Sequence, residues 1–443
     1  MTFALLCIFI TILWIVLGTS LAKLHPFLVL FSAAMLLAVL LGLPLMESLN
    51  LIQSGFGQIV QKIGLLILFG TVIGVAMEQS GATLSIARGI LKIMNRLPLP
   101  YAISCIGYLV SIPVFCDAAF VILSNLNKTL SRQTKTPLVG LTVALSTGLF
   151  APHVLVPPTP GPLAAAANLE LDNLFLLIAM GAVVALILIL VGGAYGNYLS
   201  KKNNWIEDQT EAVNDKLQVS QLPSFTKSLL PILIPIVLMC LGTVLEFVTD
   251  DIPGKELILF LTKPTMALGI GMLFAFALAE SPKKTFVNTS IRKGIEQAAP
   301  ILIITGMGGA LGTVIQTIPL KTYAESIAAV EGLGILIPFL IAALLKSAQG
   351  SSTVAIITTS SLIFPLLPIL GMDTEMGKVW AIMALGVGSM TVSHANDSYF
   401  WIVTQMSGMD VKTAYKTHTL GTLIQGCVGL VVVWIGYSLW SMV

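Results

Sequence analysis

Apolar segments of about 20 residues follow one another along almost the whole chain. The hydrocarbon core of a bilayer is about 30 Å thick, and an α-helix needs roughly 20 apolar residues to cross it. Within lipid, every backbone N–H and C=O group must find its partner inside the protein, which a helix achieves within one segment. The segments therefore predict a bundle of membrane helices with about ten crossings.

The composition agrees with this prediction and narrows the possible functions. Of the 443 residues, 56% are hydrophobic and only 10% are charged, which excludes a soluble domain. The net charge of +2 is too small to indicate the strongly basic surface that binds nucleic acid. The five cysteines form no Cys-x-x-Cys pair, and we interpret them as small apolar residues. No catalytic triad, metal-ligand spacing or phosphate loop is present, so we expect no metal, no cofactor and no enzyme activity.

The apolar segments fall into two sets that share one order of short, long and interrupted members. The first set is 2–21, 26–46, 64–79, 98–126, 137–168 and 174–198, and the second is 229–248, 258–279, 299–318, 333–370, 378–408 and 418–441. Gly70 and Gly74 in the first set recur as Gly308 and Gly312 in the second. We predict an N-terminal repeat (1–200), a cytoplasmic linker (201–228) and a C-terminal repeat (229–443).

Charge placement indicates that the second repeat is inverted, because Lys and Arg accumulate in cytoplasmic loops. The linker and the 280–298 loop are basic. The loop after residue 79 is also basic, whereas its counterpart carries Lys321, Glu325 and Glu331. Basic residues flank 98–126 on both sides and acidic residues flank 333–370, which predicts a re-entrant hairpin in each repeat. The predicted fold is an all-α integral membrane protein of two inverted-topology repeats. Each has about five transmembrane helices, one re-entrant hairpin and one broken helix, with both termini extracytoplasmic.

Two helices are predicted to break at corresponding places, in 146–162 and 386–398. Residues 157–162 (PPTPGP) contain four prolines, which lack the N–H of a normal helix. Residues 393–398 (SHANDS) offer hydroxyl, amide and carboxylate groups that match a polyhydroxylated molecule. Paired interruptions indicate a transporter's substrate site. The candidate ligands in these breaks are Thr159, Gly161, Ser393, Asn396, Asp397 and Ser398.

The predicted hairpin turns supply the remaining candidates. Asp117 follows Pro113 at the first turn, and a carboxylate at this depth is a functional candidate by default; the alternative is that it caps a helix. At the second turn, Gln349 and Gly350 precede a helix that starts at Ser351, Ser352 and Thr353. The free N–H groups of such a start favour an anion. The alternative is that these hydroxyls only cap the helix.

Proton coupling has four candidate groups, Asp117, Asp397, His153 and His394. Both histidines fall in the broken helices, and histidine titrates near neutral pH. A histidine that only hydrogen-bonds a freed carbonyl group is the alternative for each.

The motifs at these positions resemble those of the gluconate permease family, gluconate:proton symporters of the wider ion-transporter superfamily. They are PVFCD at 113–117, HVLVPPTPGP at 153–162, AQGSSTVA at 348–355 and SHANDSYFW at 393–401. The resemblance implies secondary transport of gluconate or related sugar acids across a bacterial inner membrane. Some members carry other small hydroxy acids or D-serine. It also implies a homodimer with scaffold domains and mobile transport domains. Lys346 stands where many relatives have arginine.

Together these features predict a proton-coupled symporter for a small hydroxylated monocarboxylate, working by an elevator-type alternating-access mechanism. Its expected partners are the anionic substrate, the proton, the lipid bilayer and a second copy of the chain. Sodium coupling and D-serine transport are the nearest alternatives. A channel would need a continuous polar pore, and an intramembrane enzyme would need a catalytic set that we do not find.

Overall fold

The computed structural model describes residues 2–202, 222–246, 254–279, 283–318 and 334–441. Within these ranges all regular structure is helical, which confirms the all-α prediction. Most of the predicted linker (203–221) and the loop residues Lys321, Glu325 and Glu331 lie outside the described residues.

The N-terminal half runs from α1 to α9 in chain order. Its helices are α1 (Thr2–Ser20), α2 (Pro26–Leu40), α3 (Leu45–Gln79), α4 (Ala82–Ile93), α5 (Leu99–Ser111), α6 (Cys116–Thr134), α7 (Leu138–Leu155), α8 (Pro160–Asn168) and α9 (Leu174–Lys202). Several of these helices start beside proline, which is pre-organised for a first turn and has no N–H to leave unpaired.

The C-terminal half runs from α10 to α19. Its helices are α10 (Phe225–Glu246), α11 (Lys255–Thr262), α12 (Pro264–Phe276), α13 (Lys283–Gln316), α14 (Leu336–Gln349), α15 (Ser352–Ile363), α16 (Glu375–Met390), α17 (Ser398–Ser407), α18 (Val411–Ala414) and α19 (Leu420–Ser441). A 3₁₀ turn (Phe364–Leu366) follows α15, and a π-helical turn (Tyr415–Thr419) joins α18 to α19. Side chains of Thr374, Asp397 and Asp410 accept N–H bonds at the starts of α16, α17 and α18.

Six of the described spans are long and apolar enough to cross a bilayer: α3, α7–α8, α9, α10, α13 and α18–α19. The pair α11–α12, bent by 71°, makes a seventh if it is one span. Helices α2, α5, α14 and α15, and residues 6–18 of α1, are apolar but short. At 1.5 Å per residue each extends only about 20 Å, less than the hydrocarbon thickness.

The two longest helices, α3 and α13, pack against each other across the molecule. Gly55 of α3 faces the backbone of Gly309 and Ala310, so the two helices approach closely, as small residues allow in membranes. The Thr71 hydroxyl donates to the Gly294 carbonyl at 3.1 Å. Both helices begin with polar turns, which is why hydropathy alone predicted only their second parts.

The first broken segment lies at the centre of the protein. Every residue from Leu138 to Pro162 in α7, its break and the start of α8 is buried apart from the partly exposed Pro158. On α3, Gly70 lies against the Pro158 carbonyl, and Gly74 lies against the Pro113 carbonyl. A side chain at either glycine would collide with these backbones. The interrupted backbone is thus enclosed by protein, as interruptions at membrane depth require.

Candidate functional site

Four helix interruptions meet in the interior. They are 112–115 between α5 and α6, 156–159 between α7 and α8, 350–351 between α14 and α15, and 391–397 between α16 and α17. The rings of Phe115 and His153 are 6.1 Å apart and join the first two interruptions. Gly350 lies against the Asn396 backbone and joins the last two. The structure therefore brings together candidate residues that are up to 281 positions apart in the chain.

A buried ion pair ties the tip of α14 to the break before α17. Lys346 Nζ lies 2.6 Å from Asp397 Oδ2, and the two side chains are only 1% and 4% exposed. Lys346 Nζ also donates to the Gly350 carbonyl at 2.8 Å and lies 5.6 Å from the centre of the Phe150 ring. Two charges taken out of water cost several kcal/mol each, so such a pair is weak evidence for stability and marks a functional group.

Asp397 also caps α17 and connects to a buried polar chain. Its Oδ1 accepts the Tyr399 N–H at 3.1 Å, and its Oδ2 accepts the Ser393 hydroxyl at 2.5 Å. His418 Nε2 lies 3.1 Å from Ser393 Oγ. His418 Nδ1 lies 3.0 Å from Ser146 Oγ on α7. This series of hydrogen bonds therefore joins the broken helix of one half to the broken helix of the other.

The turn between α14 and α15 at Gly350 is held in place by residues of the break between α16 and α17. Gly350 has φ +83°, a left-handed conformation that glycine adopts without strain. Asn396 Nδ2 donates to the Ser347 carbonyl at 2.7 Å, and His394 Nε2 lies 3.2 Å from the same oxygen. This contact of His394 is the carbonyl hydrogen bond that the sequence left open as its alternative role.

The start of α15 presents the predicted hydroxyl groups. Ser351 Oγ accepts the Val354 N–H at 3.3 Å and so caps the helix. Ser352 is buried and Thr353 is half-buried beside it. The cap uses one lone pair of Ser351, which leaves its O–H free to donate to a ligand.

Unpaired polar atoms surround this centre. In the described part of the chain, both amide atoms of Gln349 and Nδ1 of His153 are buried without a hydrogen-bond partner. His153 is within electrostatic range of Lys346 and Asp397. Buried polar groups are nearly always bonded in native proteins, so these atoms are candidates for hydrogen bonds to a polar molecule or to water.

Asp117 is the second residue of α6 and is partly buried. Its Oδ1 is 3.7 Å from the Cys116 thiol, and it is within electrostatic range of Asp397 and Lys346. Phe115, with no capping side-chain bond, occupies the N-cap of α6. The structure thus places Asp117 in the first turn of α6, two residues after the position from which a side chain usually caps a helix.

The other predicted residues divide into two groups. Thr159 is buried and donates to the Val156 carbonyl at 2.6 Å, and Gly161 packs against Ile356 of α15. Asn396 and Ser398 are exposed at the rim of the break.

Sequence reasoning missed several residues of the polar centre: Ser146, Phe150, Tyr399 and His418. Lys346 was noted only for its difference from arginine. One signal was available for His418, because His418, Thr422 and Gln425 recur at helical spacing and form a polar stripe on an otherwise apolar segment.

Comparison with known proteins decides the family. The model of the GntP family permeases matches residues 3–442. The chain belongs to the GntP permease family. It is 33% identical to a permease of Haemophilus influenzae over 92% of this chain and 86% of that protein. It is 29% identical to the gluconate permease of Pseudomonas aeruginosa over 97% and 96% of the two chains. It is also 29% identical to the D-serine transporter DsdX of Escherichia coli K12 over 95% of each.

The fold of this GntP permease also resembles a solved transporter. The YdaH transporter of Alcanivorax borkumensis matches 94% of this chain and 99% of its own, with a TM-score of 0.68 at 16% identity. The protein is thus a multi-pass membrane transporter of a family of permeases, which confirms the predicted family and the expectation that it is not an enzyme.

Two cavities lie near or beside the helix interruptions. A cleft lined by residues 112–115, residues 158–160, Gly70 and Thr71 has about 10 Å³, room for roughly one water molecule. A larger cavity of about 400 Å³ lies between the start of α9, the end of α10 and the α11–α12 bend. It includes no residue of the four interruptions, so we do not assign the substrate to it.

Proposed function

We propose that this permease carries a small hydroxylated monocarboxylate, gluconate or a related sugar acid, together with a proton. The observation that carries the proposal is the buried ammonium of Lys346 at the meeting of the α14–α15 tip and the α16–α17 break. It provides a fixed positive charge for a carboxylate, and the start of α15 adds N–H dipoles of the same sign. Relatives named as gluconate permeases support the substrate class.

The groups around Lys346 suit a chain of hydroxyls. The proposed ligands are Asp117, Thr159, Gly161, Gln349, Gly350, Ser351, Ser352, Thr353, Ser393, Asn396, Asp397 and Ser398. Hydroxyl and amide groups both donate and accept hydrogen bonds and a carboxylate accepts them, which matches the alternating needs of a polyol. The unpaired amide of Gln349 supports this assignment most directly.

The burial of the Lys346–Asp397 pair supports alternating access. Both side chains are almost wholly enclosed, so the elements around them have to move apart before a substrate carboxylate can reach Lys346. We propose an elevator-type motion in which the two pairs α5–α6 and α14–α15 and the broken helices move together against the remaining helices. The inverted arrangement of the two halves, the re-entrant course of both pairs, the cytoplasmic linker (201–228) and a homodimer in the bacterial inner membrane belong to this proposal.

A binding screen tests the substrate. Purified protein is titrated with gluconate, glycerate, ketogluconate, fructuronate and D-serine, and we expect the sugar acids to bind more tightly than D-serine. D-serine binding alone would assign the chain to the function named for DsdX. Saturable uptake with counterflow, and recovery of chemically unchanged substrate, would exclude a channel and an intramembrane enzyme.

A further inference from the structure

A buried series of hydrogen-bonded side chains runs from Ser146 through His418, Ser393 and Asp397 to Lys346. Its connections are those of a proton-carrying network. His418 bridges Ser146 Oγ at 3.0 Å and Ser393 Oγ at 3.1 Å. The Ser393 hydroxyl donates to Asp397 Oδ2 at 2.5 Å, and the same oxygen is 2.6 Å from Lys346 Nζ. All five residues are buried.

The network keeps its hydrogen bonds in more than one protonation state. With Asp397 charged, Ser393 donates to it and accepts from His418 Nε2–H, while Ser146 donates to Nδ1. In the second state Asp397 is protonated and its O–H donates to Ser393 Oγ, while the Ser393 hydroxyl donates to His418 Nε2. His418 carries its proton on Nδ1 and donates to Ser146, whose hydroxyl donates to the Val143 carbonyl at 3.1 Å. The two states differ by one proton: Ser146 gains a proton and passes its own to His418 Nδ1, His418 passes the Nε2 proton to Ser393, and Ser393 passes its own to Asp397. Every hydroxyl and imidazole nitrogen in the series keeps a hydrogen-bond partner.

The position of His418 in the chain supports a functional role for it. It is the fourth residue of the π-helical turn Tyr415–Thr419 between α18 and α19. π-Helical turns are rare in proteins, and those that do occur are often found at functional sites. The neighbouring Thr419 hydroxyl donates to the Ser393 carbonyl at 2.6 Å, and the Thr422 hydroxyl accepts the Ser393 N–H at 3.0 Å. The turn and the first residues of α19 therefore hold Ser393 through three hydrogen bonds, to its hydroxyl, its carbonyl and its N–H.

Protonation of Asp397 also changes what Lys346 can bind. While Asp397 is charged, the pair is neutral and the ammonium is occupied. Once Asp397 is neutral, Lys346 keeps a buried positive charge without its anion, which is costly until another anion arrives. A substrate carboxylate supplies that anion. Lys346 and Asp397 together with their ligands thus carry no net charge either when both ligands are absent or when proton and anion are both bound, so the two ligands favour each other's binding.

We propose that His418, Ser393 and Asp397 hold the coupling proton, and that Lys346 exchanges Asp397 for the substrate carboxylate when the proton arrives. This inference rests on the proposed function and adds its coupling mechanism. His418 acts as a positioning residue and proton relay, and Lys346 contacts the substrate.

Other titratable groups face Asp397 and define the competing assignments. They are Asp117 and Cys116 at the start of α6, His153 on α7 and Tyr399 on its own helix, in addition to Lys346 from α14 and His418 from the π-helical turn. Tyr399 donates its hydroxyl to the Ser146 carbonyl at 2.9 Å. His394 faces the Ser347 carbonyl instead. Asp117 is the main competitor, because it is the second carboxylate beside Lys346.

The test counts protons taken up on substrate binding by the purified full-length permease in weakly buffered detergent with a pH indicator. The probe is gluconate, or whichever of the five screened acids binds. We expect wild type to take up about one proton per substrate and its apparent Kd to rise about tenfold per pH unit at alkaline pH. Asp397→Asn should take up none, with a Kd that does not depend on pH. In His418→Gln, the rate of proton-driven uptake relative to wild type should fall at least tenfold further than the rate of substrate exchange. Exchange is spared because it needs no net proton movement.

Asp410→Asn is the matched control, because Asp410 is another N-cap aspartate, accepting the Thr413 N–H at 3.2 Å, and lies outside the ion pair. It should take up protons as wild type does. Asp397→Ser, a second neutral cap residue, replaces Asp397→Asn if the latter does not fold. Wild-type proton uptake by both neutral variants, or its loss in Asp117→Asn alone, would overturn this inference while proton symport stands. No proton uptake by wild type, or no binding of any screened acid, would overturn the inference and the proposed function together.

Discussion

At the scale of single residues, the account depends on charges that are buried in pairs. Lys346 and Asp397 are almost wholly enclosed, whereas Lys378 and Glu375, 3.1 Å apart, are 16% and 38% exposed. An exposed pair contributes about 0–1 kcal/mol, because water and salt screen it. A buried pair behaves differently, since removal of one partner leaves the other charge uncompensated.

Lys346→Met should lower the free energy of unfolding by about 3–5 kcal/mol, because Asp397 is left as a lone buried carboxylate. The double variant Lys346→Met/Asp397→Asn should recover most of that loss. Chemical unfolding of the detergent-purified protein measures both, with Lys378→Met as the control that loses at most about 1 kcal/mol. Equal losses in the single and double variants would show that the pair contributes through packing rather than charge.

Ser351→Ala combined with Ser352→Ala should weaken substrate binding by about 1–3 kcal/mol, because charge-assisted hydrogen bonds to an anion are lost. Ser351 also caps α15, so the double variant needs a control for the cap. Thr374→Ala removes an equivalent cap, which accepts the Gly377 N–H at 3.1 Å, at the start of α16. It should lower stability and leave affinity unchanged. Unchanged affinity in the double serine variant would mean that its hydroxyls only cap the helix.

At the scale of elements, the positions of the helix interruptions could be predicted from the sequence. The residues that contact each other across these interruptions could not. Prolines and glycines at 157–162 and the polar run at 393–398 mark the breaks, because both oppose a continuous apolar helix. The observed gaps after Ser111 and Gln349 fall inside the predicted turns. The pairing of Lys346 with Asp397, and of His418 with Ser146, joins residues far apart in the chain, and no local pattern encodes such contacts. Helices α3 and α13 extend well before the apolar segments at 64–79 and 299–318, because their first turns are polar.

The contact between the α14–α15 turn and the α16–α17 break can be tested with two glycines of similar conformation. Gly350 (φ +83°) faces the Asn396 backbone, whereas Gly254 (φ +80°) has open space around it. Alanine at either position costs about 1 kcal/mol of backbone strain. Gly350→Ala should cost clearly more and also abolish uptake, since the break must move away. Similar stability and uptake in Gly350→Ala and Gly254→Ala would contradict the close contact.

At the scale of the whole molecule, two contacts join loops that are distant in the chain. The Ser85 hydroxyl donates to the Pro223 carbonyl at 2.6 Å, which joins the basic segment after α3 to the end of the predicted linker. Elsewhere, Glu375 Oε2 accepts the N–H groups of Asp172 and Asn173 at 3.1 Å each. Lys62 and Lys378 lie at this second contact as well, against Glu170, so both signs of charge meet there. The inverted topology rests on the distribution of Lys and Arg in the sequence and stays a prediction.

Single cysteines on a cysteine-free background test that topology. In intact cells, a membrane-impermeant thiol reagent should label a cysteine placed at either terminus and should not label one placed in the linker (201–228). The reason is that an odd number of crossings in each repeat separates the termini from the linker. Labelling of the linker in intact cells, with the termini protected, would reverse the orientation and remove the charge argument.

The most direct test of the central claim is uptake of gluconate into proteoliposomes under separately imposed proton and sodium gradients. The account predicts accumulation when the proton gradient points inward, its collapse when a protonophore is added, and no response to sodium. Accumulation that follows the sodium gradient, or that ignores the proton gradient, would contradict proton-coupled symport.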